Sequence, residues 1–488
     1  MEIRSIFRNI SPIDHRYSIS EKDLFDALAA WISEEASIRA CVKAETALVI
    51  AHLAARGDLT PALRSALEKA GDSVEPDEVY AEEEKTRHNI RALVNVLKRK
   101  TPPETAPLVH LGATSVDILD TSLSYRMKHV TQEVVLPNLR KLELSLCDFV
   151  EKEAETPQVG RTHGQHAVPI TLGFAIAEYV SRLGKSILEI GKRSAELKGK
   201  LAGAAGAYNA TAMIVKDPEA LEKIYLAELG LEPSEHATQL VEPEYLLRLL
   251  LEFNTAFGVI ANLADDLRNL QRSEIGEVRE GFASEQVGSS TMPQKRNPWN
   301  SEHVKSLWKA FMPRVLTFFM DQISEHQRDL SNSASQRFIA DYVTGFCMAV
   351  RRMTSVVEGL GVDRERLLSN LRGGGIPGGV MAEPAYILLA ETGVSDAHEV
   401  VRAITLSAEK EKTSFAEALA KQPDVLDRIG GKLVELGRIS SKEDALSFFG
   451  QPEQYCGLAP EKAKALAKKY RDMMNRVVQK PQFLNNNH

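Results

Sequence analysis

The chain has 488 residues, enough for about three domains, and its 43% hydrophobic and 26% charged content is ordinary for a soluble globular protein. A formal net charge of −7 sets up no global field for a polyanion, which disfavours a nucleic-acid binder. Four scattered cysteines (Cys41, Cys147, Cys347 and Cys456) form no CxxC pair, which excludes a zinc ribbon or disulfide framework and points to a reducing cytosol.

In chain order, the N-terminal stretch MEIRSIFRNISPIDHRYS has no apolar run of the kind a secretory signal carries. Within it, Arg16 beside Tyr17 is a surface loop by position and an anion grip by chemistry. EEEKTRHNIRAL (82–93) puts His88 near a helix start, where a lone histidine is most often structural or solvated. TPPETAP (101–107) is a proline-rich break. In HLGATSVDILDTS (110–122), His110, Gly112, Thr114, Ser115 and Asp117 precede a helical run. That arrangement reads equally as an N-cap and as a cradle of backbone N–H groups and hydroxyls for an anion.

From Leu136 the apolar positions Leu139, Leu142, Leu146 and Phe149 recur at helical spacing. GRTHGQHAVP (160–169) interrupts the pattern. Here Thr162, His163, Gly164, Gln165 and His166 suggest a turn, and histidine is the natural proton carrier near neutrality. A second stripe follows Pro169 through Leu172, Ile176, Tyr179, Val180, Leu183, Ile187 and Ile190. The longest runs from Leu246 through Leu250, Phe253, Phe257, Ile260, Leu263 and Leu267 to Leu270, broken only by Gly258. Arg248, Glu252 and Asn254 make this stretch a poor membrane span. GSSTMPQKRNPWNSE (288–302) has no apolar periodicity and reads as an exposed functional loop, with Lys295 and Asn297 supplying a cation and an amide. A fourth stripe spans Val304 to Ile323, and SEHQRDLSNSASQR (324–337) offers Arg328, Ser333 and Arg337 as a second anion site. LRGGGIPGGV (371–380) is a glycine-rich break.

Long stripes without alternating strand patterns predict an all-α fold with a packed bundle. The expected units are an N-terminal helical domain (1–109), a central long-helix bundle (110–364) and a C-terminal helical domain (365–488). No GxSxG, Walker loop, dinucleotide GxGxxG or HExxH is present, which removes several hydrolase and nucleotidase readings.

The islands taken together resemble the fumarase/aspartase superfamily, whose signature loop GSSTMPQKRNP matches closely. Within it, SPIDHRYS, THGQHA, HQRDLSNSASQR and DAHEVV look like segments of the adenylosuccinate lyases. Argininosuccinate lyases usually carry Ser-Arg-Asn-Asp where this chain has GATSVD, and carboxymuconate cycloisomerases commonly have tryptophan where it keeps His163. Two features depart from the family pattern: Asn89 follows His88 where many members have aspartate, and HAVPITLGF leans towards the cycloisomerases.

The resemblance implies anti β-elimination of fumarate from a succinylated purine nucleotide, with no metal and no organic cofactor. It also implies a cytoplasmic homotetramer, built around a twenty-helix core, whose sites are shared between subunits. Ser289 matches the family's base (Ser290 is the adjacent alternative), His163 the general acid, Lys295 the cation that stabilises developing charge, and His88 a substrate-orienting histidine. Thr114, Ser115 and Gln239 match carboxylate-holding groups, and Arg16, Tyr17, Arg328, Ser333 and Arg337 a nucleotide-phosphate grip. His110, Thr162, Met292 and Asn297 complete the substrate-binding set.

Overall fold

The computed structural model describes residues 5–281, 291–292 and 294–479. Helices dominate it, in keeping with the all-α expectation. The N-terminal part contains α1 (Glu34–Arg56), α2 (Pro76–Thr86) and α3 (Asn89–Lys100). Ser33 starts α1 by accepting the Ala36 N–H at 3.1 Å, and Gly57 stops it in the left-handed conformation, where a missing Cβ avoids strain. These helices enclose one apolar cluster, to which residues 201–231 also contribute.

The central rod begins earlier than the apolar stripe suggested. Helix α4 (Ser115–Val130) runs through a π turn at Thr131–Val135 directly into α5 (Leu136–Lys152). Pro137 explains the irregularity: it lacks an N–H and its ring crowds the preceding turn, so the backbone widens there. Asn138 compensates by donating from its side chain to the Val134 carbonyl at 2.8 Å. Residues 115–152 thus form one unbroken helical run, about 55 Å long at 1.5 Å per residue.

A β-hairpin then reverses the chain: β1 (Pro157–Thr162) pairs antiparallel with β2 (Gln165–Thr171), with Thr162 opposite Gln165. No Asn-Gly or Asp-Gly signal marks this hairpin, and it is the one sizeable strand pair among the described residues. The turn is His163-Gly164, both with positive φ (54° and 73°), as a two-residue hairpin turn requires. Two further pairs, each two residues per strand, join 198–199 to 232–233 and 278–279 to 361–362.

Helix α6 (Leu172–Ala195), capped by Thr171, returns along α5. Helices α7 (Glu244–Leu270), α8 (Trp299–Phe311), α9 (Arg314–Met320) and α10 (Ile339–Glu358) complete the bundle, and α11 (Ala459–Gln479) closes it against α5 and α6. By length and composition α7 could cross a membrane, yet its stripe is core: Leu249, Phe253, Phe257, Ile260 and Leu263 are all buried within the chain. The long stripes therefore need no partner to bury them. The fourth behaves differently. It breaks at Met312-Pro313, and beyond the break Leu316, Phe319, Met320 and Ile323 are exposed. A third apolar cluster lies wholly within residues 381–449.

Candidate active site

Two groups of the candidate residues flank the α4–α5 rod, one at its start and one on the hairpin that follows its end. At its N-terminal end, the Asp117 carboxylate accepts the Thr114 N–H at 2.7 Å and so fixes the first turn of α4, with Thr114 and Ser115 at its mouth. Asp117 is fully buried. Its other oxygen takes the Lys200 ammonium and the N–H groups of Ala202 (3.1 Å) and Gly203 (3.3 Å). This pins the 200–203 segment behind the helix start.

His110 lies on the approach to the same turn with φ +64°, its Nδ1 2.7 Å from the buried Glu45 carboxylate of α1. Burial alone would lower its pKa, but the hydrogen bond to Glu45 and the Glu45 and Asp117 charges together outweigh this and the net shift is upward. Gln239 joins this end: its Oε1 accepts from Arg328 at 3.2 Å, and two residues on the Val241 N–H donates to Asp120 of α4 at 3.0 Å. Burial pushes Asp120 up to about 6.

At the other end the exposed tip of the hairpin carries Thr162 and His163. Behind the tip stands Glu277, which no motif announced. It is fully buried and accepts from Gln158 at 2.7 Å, Arg161 at 3.1 Å and Asn370 at 2.9 Å, so one carboxylate locks the hairpin base. Burial and the Arg161 charge push His166 below its usual range, and the backbone at Gly374 comes so close that a Cβ there would lie 3.0 Å from the His166 ring. The glycine-rich break thus packs on the hairpin.

Three residues beyond Glu277, Glu280 accepts the N–H groups of Asn300 (3.2 Å) and Ser301 (2.8 Å) and caps α8. It ties together the two ends of the signature loop. Ser289 and Ser290 lie outside the described residues. Past them, Met292 and Lys295 are exposed, Asn297 is half-buried, and the Lys295 N–H closes a turn onto the Met292 carbonyl at 3.0 Å. One turn into α8, His303 meets the Tyr17 hydroxyl at 3.0 Å, and burial together with the Arg352 and Arg16 charges lowers its pKa. His303 is a second residue that motif reading missed, although it immediately follows the signature stretch.

The proposed phosphate grip divides into two contact sets in one chain. Tyr17 pairs with His303 and has exposed Arg16 beside it; Arg328 pairs with Gln239, while Ser333 and Arg337 are exposed further along the same segment. His88 is exposed and caps its own helix, its Nδ1 accepting the Arg91 N–H at 3.2 Å.

The chain matches the family model described as Lyase over residues 15–310 and that described as Adenylosuccinate lyase C-terminal over 324–438. It is 32% identical to adenylosuccinate lyase of Pyrococcus abyssi, covering 86% of this chain and 91% of the relative. It is 31% identical to the Pyrococcus horikoshii enzyme of the same name, over 96% and 99%. Its fold matches the crystal structure of 3-carboxy-cis,cis-muconate lactonizing enzyme from Pseudomonas putida with a TM-score of 0.76 and 25% identity, covering 92% and 97%. A fumarate lyase from Mesorhizobium sp. BNC1 matches equally well in fold at 21% identity. The chain belongs to the adenylosuccinate lyase family of the fumarase/aspartase superfamily.

Proposed function

We infer that the chain is a carbon–nitrogen lyase that eliminates fumarate from adenylosuccinate to leave AMP, and from the succinyl-aminoimidazole-carboxamide ribotide of purine synthesis. The observation that carries this reading is the match, nearly end to end, to relatives named adenylosuccinate lyase. A cytoplasmic setting and nucleotide substrates follow from it.

The chemistry fits the residues. A base removes the proton from the carbon next to a succinyl carboxylate, and the C–H electron pair becomes the new double bond. The C–N pair leaves with the purine nitrogen, which an acid protonates. Ser289 is the proposed base; a serine hydroxyl is far too weak an acid to be ionised in water, so the site must exclude solvent and stabilise the anion. Lys295 and Asn297 are the proposed holders of the charge that builds on the carboxylate, a contribution of about 3 kcal/mol per preorganised donor. His163 is the proposed acid, and an exposed imidazole on a rigid hairpin can deliver its proton once a substrate is seated against it. Thr114, Ser115 and Gln239 hold the succinyl carboxylates. Arg16, Tyr17, Arg328, Ser333 and Arg337 hold the phosphate, and His88 orients the substrate.

The separation of the two clusters by about 55 Å of helix supports sites shared between subunits of a homotetramer, since one chain cannot close both around a small molecule. The exposed apolar residues of α9 fit the same assembly. A second reading, cycloisomerisation of a carboxymuconate, has the fold match and the HAVPITLGF segment behind it. Ultraviolet monitoring separates them: purified protein should convert adenylosuccinate to AMP and fumarate. Turnover of a muconate or argininosuccinate alone would refute the assignment.

A further inference from the structure

His110 has two properties that rarely coincide in a residue of no consequence. Its backbone is left-handed, at φ +64°, a conformation that strains any side chain and that glycine would occupy freely. Strain of this kind persists where the surroundings over-determine it, and is concentrated at functional sites. The surroundings here are two residues on one face of α1, two turns apart. Glu45 holds the His110 ring through Nδ1 at 2.7 Å, and His52 Nε2 meets the neighbouring Leu111 carbonyl at 2.9 Å. A carbonyl can only accept, so Nε2–H is the donor in that bond, and burial lowers the His52 pKa.

Glu45 itself has no exposed surface, and its second oxygen, also buried, has no partner among the described residues. A buried carboxylate with a single partner demands a charge from that partner. The groups that face His110 are Glu45 on α1 and Asp117 on α4, which favour the cation, and Lys98 on α3, which opposes it. His110 Nε2 has no hydrogen-bond partner among the described residues, and the ring keeps 22% of its surface exposed. It lies four residues before Thr114, at the mouth of α4.

We propose that Glu45 is a positioning residue for substrate binding: it fixes the His110 ring through Nδ1 and keeps it a cation, leaving Nε2–H to meet an anionic group of the substrate. This rests on the lyase reading for the identity of the ligand, but not for the state of the histidine. The anion is either a phosphate or a succinyl carboxylate, and the product halves separate them, because AMP carries only the first and fumarate only the second.

Deuterium exchange at imidazole C2, read by mass spectrometry on the peptide that carries His110, gives its titration midpoint with no substrate present. In the wild type the midpoint should lie above the ordinary value of about 6.5. In Glu45→Gln, which keeps an acceptor for Nδ1–H and removes the charge, it should fall. Glu45→Asp should retain a raised midpoint. In the same Gln variant, KM for adenylosuccinate at pH 8 should rise about tenfold while kcat changes little, and the affinity for one product half should fall with it. The sign follows from the raised pKa: the cation, and the binding it provides, is lost as pH climbs through the His110 midpoint, and removing Glu45's charge moves that loss to lower pH. A wild-type midpoint at or below 6.5 overturns the proposal even if no variant folds, as does a Gln variant with unchanged midpoint and KM. Absence of fumarate release by the wild type would count against the lyase reading alone.

Discussion

At His163 a strained backbone and an exposed imidazole occupy one residue, at the tip of a hairpin whose base is locked by Glu277. The ring has little to lose structurally. His163→Ala should therefore leave the unfolding midpoint close to that of the wild type while kcat falls about 10²- to 10⁴-fold; a variant that keeps substantial turnover would remove His163 from the chemistry. Asp120 makes a different kind of prediction. Its pKa rises to about 6 from an ordinary 3.8, chiefly through burial. The folded state therefore favours the protonated form, so Asp120's contribution is most favourable below pH 4 and is lost as pH rises through 6. Asp120→Asn is uncharged throughout. It should gain stability over the wild type at pH 8, up to about 3 kcal/mol, and lose that advantage below pH 4, as urea midpoints in the two pH ranges would show. Residues in polar islands, such as Thr114, His163 and Lys295, could be picked out from sequence because they interrupt a helical rhythm. Glu45, Glu277 and His303 could not. Glu45 sits inside a helix among small apolar neighbours, and its burial against His110 is a long-range fact that no local pattern encodes.

Among elements, the helices were the readable part, since three- and four-residue apolar spacing survives any tertiary context. The α4 half of the rod was masked by its own polar start, and by a buried face that mixes Val116, Ile118, Thr121 and Ser122 with Asp117. The hairpin was missed because its turn uses histidine where the usual signal is asparagine or aspartate. Gly164 tests this reading of the turn. Its φ is +73° and a Cβ there would meet nothing within 4 Å, so Gly164→Ala brings strain without a clash. It should cost about 1 kcal/mol and lower kcat by misaiming the tip, whereas Gly164→Asn, which tolerates positive φ, should cost less. Equal losses in thermal unfolding for the two would mean that something other than backbone strain governs the site.

For the whole molecule, the proposed assembly makes the two clusters flanking α4–α5 parts that no single chain combines. On the proposed assembly each site takes one cluster from one subunit and the second from another. A His163→Ala chain and an Arg328→Ala chain, each inactive or impaired alone, should then restore activity when unfolded together and reassembled, up to about a quarter of the sites on random mixing. A mixture no more active than its parents would place both residues in the same subunit's share of a site. The apolar stripes carry no sign of this, because most of their residues are buried within the chain; Leu316, Phe319 and Met320 are among the large apolar residues left exposed.

On the proposed assembly, the length of that rod also sets a floor on useful concentration. By mass action, dilution below the dissociation constant of the assembly would yield well-folded but catalytically mute subunits. Specific activity would then decline on dilution while circular dichroism stayed the same.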